Sequence, residues 1–312
     1  MKNDIETLPT NLMESIRYFS DPMVCLKTVA AAKWPNGPAC PKCASKRLSF
    51  LQTRLMWKCL DCKKQFTVKV GTIFEDSPIP LDKWLTAMWM LANCKNGVSS
   101  YEIARTIQVT QKTAWFMLQR LRHAMHMQSI AKMAGEVEAD ETFIGGKARN
   151  MHREKREDKI TGTGGKDKTA VLGFLERGGR VETEVVPNRK KATLQSMIKS
   201  HVSAGSALYT DALASYDGLN AEFFHQVVDH AVQYVRGRVH TNGLENFWSL
   251  LKRAIKGTYV SVEPFHLFRY LDEQSFRYNE RKANDSERFQ QALGSVAGKR
   301  LTWNTLTCQE VG

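Results

Sequence analysis

No stretch of this 312-residue sequence is apolar for long enough to cross a bilayer. The longest charge-free apolar run, WLTAMWMLANC, falls well short of the ~20 residues that a spanning helix needs. The N-terminus, MKNDIETLPT, has no basic segment followed by an apolar one, so no secretory signal is expected. A secreted disulfide framework is excluded as well, because the cysteines number seven and four of them fall in two tight pairs. These absences point to a reducing cytoplasm. There is no internal repeat and no heptad pattern. Acidic residues are few beside basic ones, 32 against 45, which leaves a net charge of +13 and a pI near 9.4. A surface of that sign favours polyanionic partners, since it attracts phosphate backbones and releases their counterions.

What is present is an ordinary globular balance, 42% hydrophobic and 25% charged, with length for about two domains. Lys147 to Lys168 is dense in both charge signs and then in Gly and Thr; it reads as a solvated loop whose Lys and Arg side chains would touch phosphate if a DNA site lies beside it. Ahead of it lie a cysteine-bearing stretch and a helical stretch. Behind it, TAVLGFLERGGRVETEVVP reads as two strands joined by a Gly-Gly turn, because β-branched runs flank residues that tolerate positive φ. With EVEADETFI in front, the expected order is strand, strand, strand, helix, strand, helix, strand, helix, helix. That order implies a mixed sheet covered by helices.

Cys40, Cys43, Cys59 and Cys62 form C-x2-C, a fifteen-residue gap, then C-x2-C. Each pair can aim two thiolates at one tetrahedral Zn²⁺, and the gap accommodates a β-hairpin, RLSFLQTRLMWKC. Four thiolates close the shell, so this metal would stabilise the fold and offer no open position to a substrate. Cys25, Cys94 and Cys308 have no partner at useful spacing and read as inert thiols.

SSYEIARTIQVTQKTAWFMLQRLRHAM reads as a helix-turn-helix, with Ser99 or Ser100 capping the first helix and Thr110 the second. Its second helix would turn Gln111, Lys112, Thr113, Trp115, Gln119 and Arg122 outward, amides and guanidinium for base edges and Lys for phosphate. The plain alternative is an αα-hairpin with a polar face.

DNA cleavage by the two-metal route needs carboxylates from separate segments converging on two hard cations. Three segments supply them. Asp140 lies near the end of the first strand, where period-2 alternation sets it on the opposite face from Val137, Ala139 and Glu141. Asp211 ends the short strand ALYTD. Glu245 sits in the first turn of a helix beginning near Asn242, whose apolar face is Leu244, Phe247, Trp248, Leu251 and Ile255. Glu245, Ser249, Lys252 and Lys256 form a polar strip at the edge of that face, which packing does not explain. Taken singly, each acid is more often a surface residue than a ligand.

Taken together, the cysteine pairs, the helix-turn-helix and the segments DETFIGGK, YTDALASY and HTNGLENFWSLLKRAIKGTY resemble bacterial insertion-sequence transposases of the DDE superfamily, the ISXO-like group with an N-terminal zinc ribbon. The resemblance runs from about Asn11 to Tyr278. It implies a multidomain α+β chain: a zinc ribbon with a leading helix over 11–75, a helix-turn-helix region over 80–130, an RNase H-like mixed sheet flanked by helices over 135–285, and a tail over 286–312. It implies Asp140, Asp211 and Glu245 as ligands of catalytic Mg²⁺ or Mn²⁺, Lys252 as the basic residue that follows, and structural Zn²⁺ on the four cysteines. Asn242, nearly on the same side of the helix as Glu245, is the alternative third ligand. The implied activity is strand cleavage and strand transfer on double-stranded DNA, at element ends recognised by their inverted repeats and at a target, by a homodimer or higher assembly on the bacterial nucleoid. Two other functions remain open. A non-catalytic DNA-binding regulator derived from a transposase would have no need of three acids, and a nuclease acting on RNA–DNA hybrids would have no need of the N-terminal modules.

Overall fold

The computed structural model describes residues 8–126, 131–146, 153–154, 168–228 and 239–307. The charged segment read as a phosphate-touching loop lies outside the described residues except at Arg153, Glu154 and Lys168, and so does Cys308. The chain begins with helices α1 (Leu12–Tyr18) and α2 (Pro22–Lys33), strands β1 (Leu48–Leu51), β2 (Met56–Cys59) and β3 (Gln65–Phe66), and helices α3 (Leu81–Asn93), α4 (Ser100–Ile107) and α5 (Gln111–Met125). There follow β4 (Glu136–Ile144), β5 (Thr169–Glu176), β6 (Val181–Val186), α6 (Lys191–His201), β7 (Ala207–Asp211), β8 (Phe224–Val228), α7 (Asn242–Ala254) and α8 (Leu267–Asn279). Two further helices, α9 (Asp285–Gly294) and α10 (Trp303–Thr307), come last. The chain divides into two compact units, one of Met1–His126 with Glu280–Gly312, the other of Met127–Asn279.

In the first unit β1 and β2 form the expected hairpin, with Leu48 opposite Cys59 and Leu55 turning the chain at φ 48°. Helix α4 is closed by a capping box between Ser99 and Glu102, and α5 by the Thr110 side chain, which accepts from the Thr113 N–H. Gln108, at φ 51°, makes the turn between them. The centre of this unit is α3, whose Trp84, Leu85, Met88, Trp89 and Leu91 are buried. The stretch read as a tail supplies part of that core: Phe289 on α9 is fully buried, with ring centroids 5.5 Å from Phe19 and 5.2 Å from Trp89. Arg288 Nε donates to Asn93 Oδ1 at 2.8 Å and so ties α9 to the end of α3.

The second unit is a five-stranded mixed sheet in the order β6-β5-β4-β7-β8. β4, β5 and β6 pair antiparallel, whereas β4, β7 and β8 run parallel. Strand alternation sorts the apolar residues onto two faces. Val137, Ala139, Leu172 and Phe174 pack with Leu194 and Ile198 of α6, while Ile144, Val171 and Leu175 pack with Leu244, Phe247, Trp248 and Leu251 of α7. One expectation fails here. The helix foreseen between β7 and β8 is replaced by two short 3₁₀ turns, Ala214–Tyr216 and Leu219–Ala221, because Gly218 at φ 94° stands between them and interrupts helical backbone.

Helix α7 lies directly on the sheet because Gly173 has no side chain. A Cβ there would come within 2.5 Å of Trp248 Cζ2 and 2.7 Å of its Cη2. Gly173→Ala is therefore expected to destabilise the protein by about 1–3 kcal/mol, the usual range for overpacking a close-packed core. Chemical denaturation monitored by Trp fluorescence measures the loss; an unchanged midpoint would mean that α7 is not held against β5.

Candidate active site and metal centres

In the first unit the sulfurs of Cys40, Cys43, Cys59 and Cys62 all lie within 4.8 Å of one another. Cys40 and Cys62 are 3.5 Å apart and Cys43 and Cys59 3.6 Å. Four sulfurs at 2.3 Å from a tetrahedral zinc would be separated by about 3.8 Å, so the cluster fits that ion and is far too open for disulfides. The backbone completes the fit in the same way at both pairs. N–H groups of Lys42 and Cys43 point at the Cys40 sulfur, and those of Cys62 and Asp61 at the Cys59 sulfur. N–H donation favours the thiolate, and Cys59 is drawn down to about 7, chiefly by the Cys62 N–H.

Helix α5 differs from its sequence reading in its second half. Gln111, Lys112, Thr113 and Trp115 stand at or near the surface, but Gln119 and Arg122 are 0% and 1% exposed. They do not face outward as expected: α3, α4 and α9 all pack against α5, and both side chains are enclosed. The first half carries its own aromatic cover: Trp303 of α10 lies with its ring centroid 6.0 Å from Trp115, and Lys112 Nζ sits 4.6 Å over the Trp303 ring.

The carboxylates of the second unit gather where β7 ends beside the middle of β4, so Asp140 lies within its strand and not at the end expected for it. β4 and β7 pair at Glu136 with Ala207, Val137 with Leu208 and Glu138 with Tyr209. Continuing that offset sets Asp140 beside Asp211, but the ladder stops before reaching them. Past its end the side chains converge, and ligand atoms of Asp140, Glu141 and Asp211 lie within 4.8 Å of one another. Glu141 was not foreseen as a member of this group, since alternation assigns it to the face opposite Asp140. The Asp-Glu doublet lies within β4, still paired with β5 at Gly173 and Leu172, on the side of the strand that the β4–β7 ladder leaves after Glu138.

Each acid is held by its surroundings. Trp248 Nε1 donates to Asp140 Oδ2 at 3.0 Å, and Leu213 N–H to Asp211 Oδ1 at 3.2 Å. Burial, then the Asp211 charge, pushes the Asp140 carboxyl up to about 6, with a smaller contribution from Glu245. Burial likewise pushes Glu141 up to about 7, opposed by the neighbouring Tyr216 hydroxyl, which favours its charged form. Crowded oxygen ligands of this kind suit hard divalent cations. Glu245 is not among the three that lie within 4.8 Å. It lines a cleft of about 590 Å³ together with Asp140, Glu141, Trp248, Ser249, Lys252, Arg253 and Lys256. One end of this cleft is acidic and the other basic. Burial lowers the Lys252 pKa, and the Asp140 charge opposes that shift. Asn242 is exposed and does not line the cleft.

The raised carboxyls carry a stability signature. A carboxyl whose folded pKa exceeds its unfolded value stabilises the fold below the unfolded value, and that stability is lost as pH rises through the folded one. The metal-free protein should therefore lose stability between about pH 4 and pH 7, the span from ordinary carboxylates to Asp140 and Glu141 at about 6 and about 7. A bound divalent cation reverses the sign by favouring the charged forms. Mg²⁺ is thus expected to raise the melting temperature at pH 8 and to have little effect at pH 5; equal shifts at both would contradict a carboxylate site.

Comparison with known proteins gives the following. Residues 132–279 match the ISXO2-like transposase domain, and residues 21–65 the transposase zinc-ribbon domain. An uncharacterized protein of the transposable element ISH50 from Halobacterium salinarum is 27% identical over 255 residues, 77% of this chain and 85% of that protein. An uncharacterized transposase-like protein of Haemophilus influenzae is 36% identical over 101 residues, 32% of this chain and 81% of that protein. A crystal structure of a pre-cleavage Mos1 transpososome aligns with 69% of this chain and 79% of that chain, at 12% identity and a TM-score of 0.26, too slight a likeness to carry an argument.

Proposed function

The chain belongs to the ISXO2-like transposases with a zinc ribbon, and from that premise we propose that it cuts and rejoins DNA at the ends of its own element by metal-assisted phosphoryl transfer. The observation that carries this reading is the convergence of Asp140 and Glu141, within β4, with Asp211 at the end of the adjacent parallel strand β7. Two divalent cations, Mg²⁺ or Mn²⁺, would activate the attacking oxygen and stabilise the leaving one. Asp140 and Asp211 are the principal ligands, Glu141 adds a third carboxylate, and Glu245 closes the site from α7. Glu245 is preferred to Asn242 because it lines the cleft and because its charge is felt at Asp140.

The rest of the cleft orients the substrate. Lys252 and Arg253 follow Glu245 along α7, Lys256 follows in the π-helical turn Ile255–Tyr259, and the three hold the phosphates next to the scissile one. End recognition falls to the ribbon and to the first half of α5, where Gln111, Lys112, Thr113 and Trp115 can enter a major groove by the helix N-terminus. Gln119 and Arg122 are left to support that helix from within. Transposition joins two DNA ends, so a dimer or larger assembly on DNA is the working form, acting on the cytoplasmic nucleoid.

Incubation of the full chain with Mg²⁺ and duplexes taken from both flanks of its gene tests the proposal. Cleavage at the element boundary with a free 3′-hydroxyl, joined to a second duplex, is expected. Tight, sequence-specific binding without cleavage in either Mg²⁺ or Mn²⁺ would favour the non-catalytic regulator instead.

A further inference from the structure

One carboxylate near the site belongs to none of the groups described so far. Glu138 lies two residues before Asp140 on the same face of β4 and is 1% exposed. Its Oε1 accepts from Arg177 Nε at 2.9 Å and stands 3.5 Å from His240 Nδ1. Its Oε2 accepts from the backbone N–H of Leu244 at 3.1 Å. Leu244 is the third residue of α7, so its N–H is one of the donors that a helix start leaves without an internal partner. Thr241, at the capping position, makes no side-chain cap to the helix. The sheet supplies the cap instead, and a negative charge there is favoured by the helix dipole.

The surroundings fix this contact tightly. Arg177 also donates to the His240 carbonyl at 2.8 Å, and its guanidinium stacks 4.2 Å from the Tyr209 ring. Gly243 permits the approach: a Cβ there would lie 2.2 Å from Leu175 Cδ2 and 2.8 Å from Glu138 Oε2. In return α7 sends Trp248 Nε1 to Asp140. One strand and one helix therefore hold each other at two points; Asp140 is one of them, and Glu245 lies between them along α7.

We propose that Glu138, braced by Arg177 and His240, is a positioning residue that fixes the first turn of α7 and thereby sets Glu245 relative to Asp140 for metal binding. The inference rests on the reading of Glu245 as a ligand. Glu138 touches neither metal nor DNA; it acts through the Leu244 N–H. Replacing such an outer partner typically weakens metal affinity or activity about 10- to 100-fold.

The test is Mn²⁺ binding to the full chain by calorimetry, with strand cleavage followed against Mn²⁺ concentration. Glu138→Gln, which keeps the shape and removes the charge, and Gly243→Ala, which moves the helix start while leaving the carboxylate intact, should each raise the half-saturating Mn²⁺ about 10- to 100-fold. Should Glu138→Gln fail to fold, Gly243→Ala carries the test alone. A folded variant of either kind with wild-type Mn²⁺ affinity overturns the proposal. Glu245→Gln separates the two readings. If it leaves Mn²⁺ affinity unchanged, Glu245 is not a ligand and the clamp has nothing to position; if it weakens binding while the other two do not, the clamp alone is wrong. In the Glu245→Gln background, Glu138→Gln should add no further loss, whereas a merely destabilising change would add its full effect.

Discussion

Asp140→Asn and Asp211→Asn are each expected to lower metal-dependent strand cleavage by about a thousandfold, since a catalytic cation contributes several kcal/mol and every 1.4 kcal/mol is tenfold in rate. End-specific DNA binding should be retained, because under the proposal it falls to the ribbon and α5, and the basic residues of the cleft are left unchanged. The change is nearly isosteric. An Asn carbonyl at position 140 can still accept from Trp248 Nε1, so the contact between β4 and α7 survives. A second effect runs the other way. The Asp140 carboxyl is pushed up by burial and by Asp211, so a neutral amide removes a group that the metal-free fold tolerates poorly. The Asp140→Asn protein should melt at a higher temperature than the wild type without cation and gain less from Mg²⁺. Loss of activity with gain of stability is the signature of a ligand; retention of full cleavage by both variants would remove Asp140 and Asp211 from the site.

Removal of zinc should have the other large effect. Structural zinc contributes about 10–16 kcal/mol in small thiolate domains, comparable with the entire stability of an ordinary domain. The strands it would hold are short, four, four and two residues, and cannot form a stable sheet unaided. Cys40→Ser or Cys59→Ser should abolish stoichiometric zinc, and protease should then cut between Arg47 and Lys64, where the wild type resists. Cys94→Ser, which alters a thiol outside the cluster, should retain one zinc per chain. If zinc stays stoichiometric in Cys40→Ser and Cys59→Ser, the four sulfurs do not bind it.

How much of this was legible in the sequence depended on how local each cause was. The cysteines were fully legible, because two-residue spacing within each pair already dictates a turn that aims both sulfurs one way. The apolar face of α7 was legible from its 3.6-residue period, and Gly178, at φ 78°, makes the turn that the Gly-Gly pair announced. Gln119 and Arg122 were misread because nothing within α5 tells that α3 and a helix from residues 285–294 will pack against it. Glu141 was missed for a different reason: β4 is still paired with β5 at this residue, so alternation assigns it to the face opposite Asp140, and nothing local tells that Asp211 at the end of β7 comes within reach of both. Glu138 itself gave no signal, since its role depends on Arg177 and Leu244, both distant along the chain.

The placement of α9 has a consequence for the order of events during synthesis. Phe289 fills the space between Phe19 and Trp89, yet it leaves the ribosome about 200 residues after Trp89. At 5–20 residues per second that delay is about 10–40 s, during which the catalytic unit has emerged whole while the unit that begins the chain still lacks part of its interior. A nascent chain therefore completes the unit of the five-stranded sheet before the unit of the cysteine cluster can close its core. Any truncation ahead of residue 285 would leave the Trp89 surface uncovered and the product prone to aggregation.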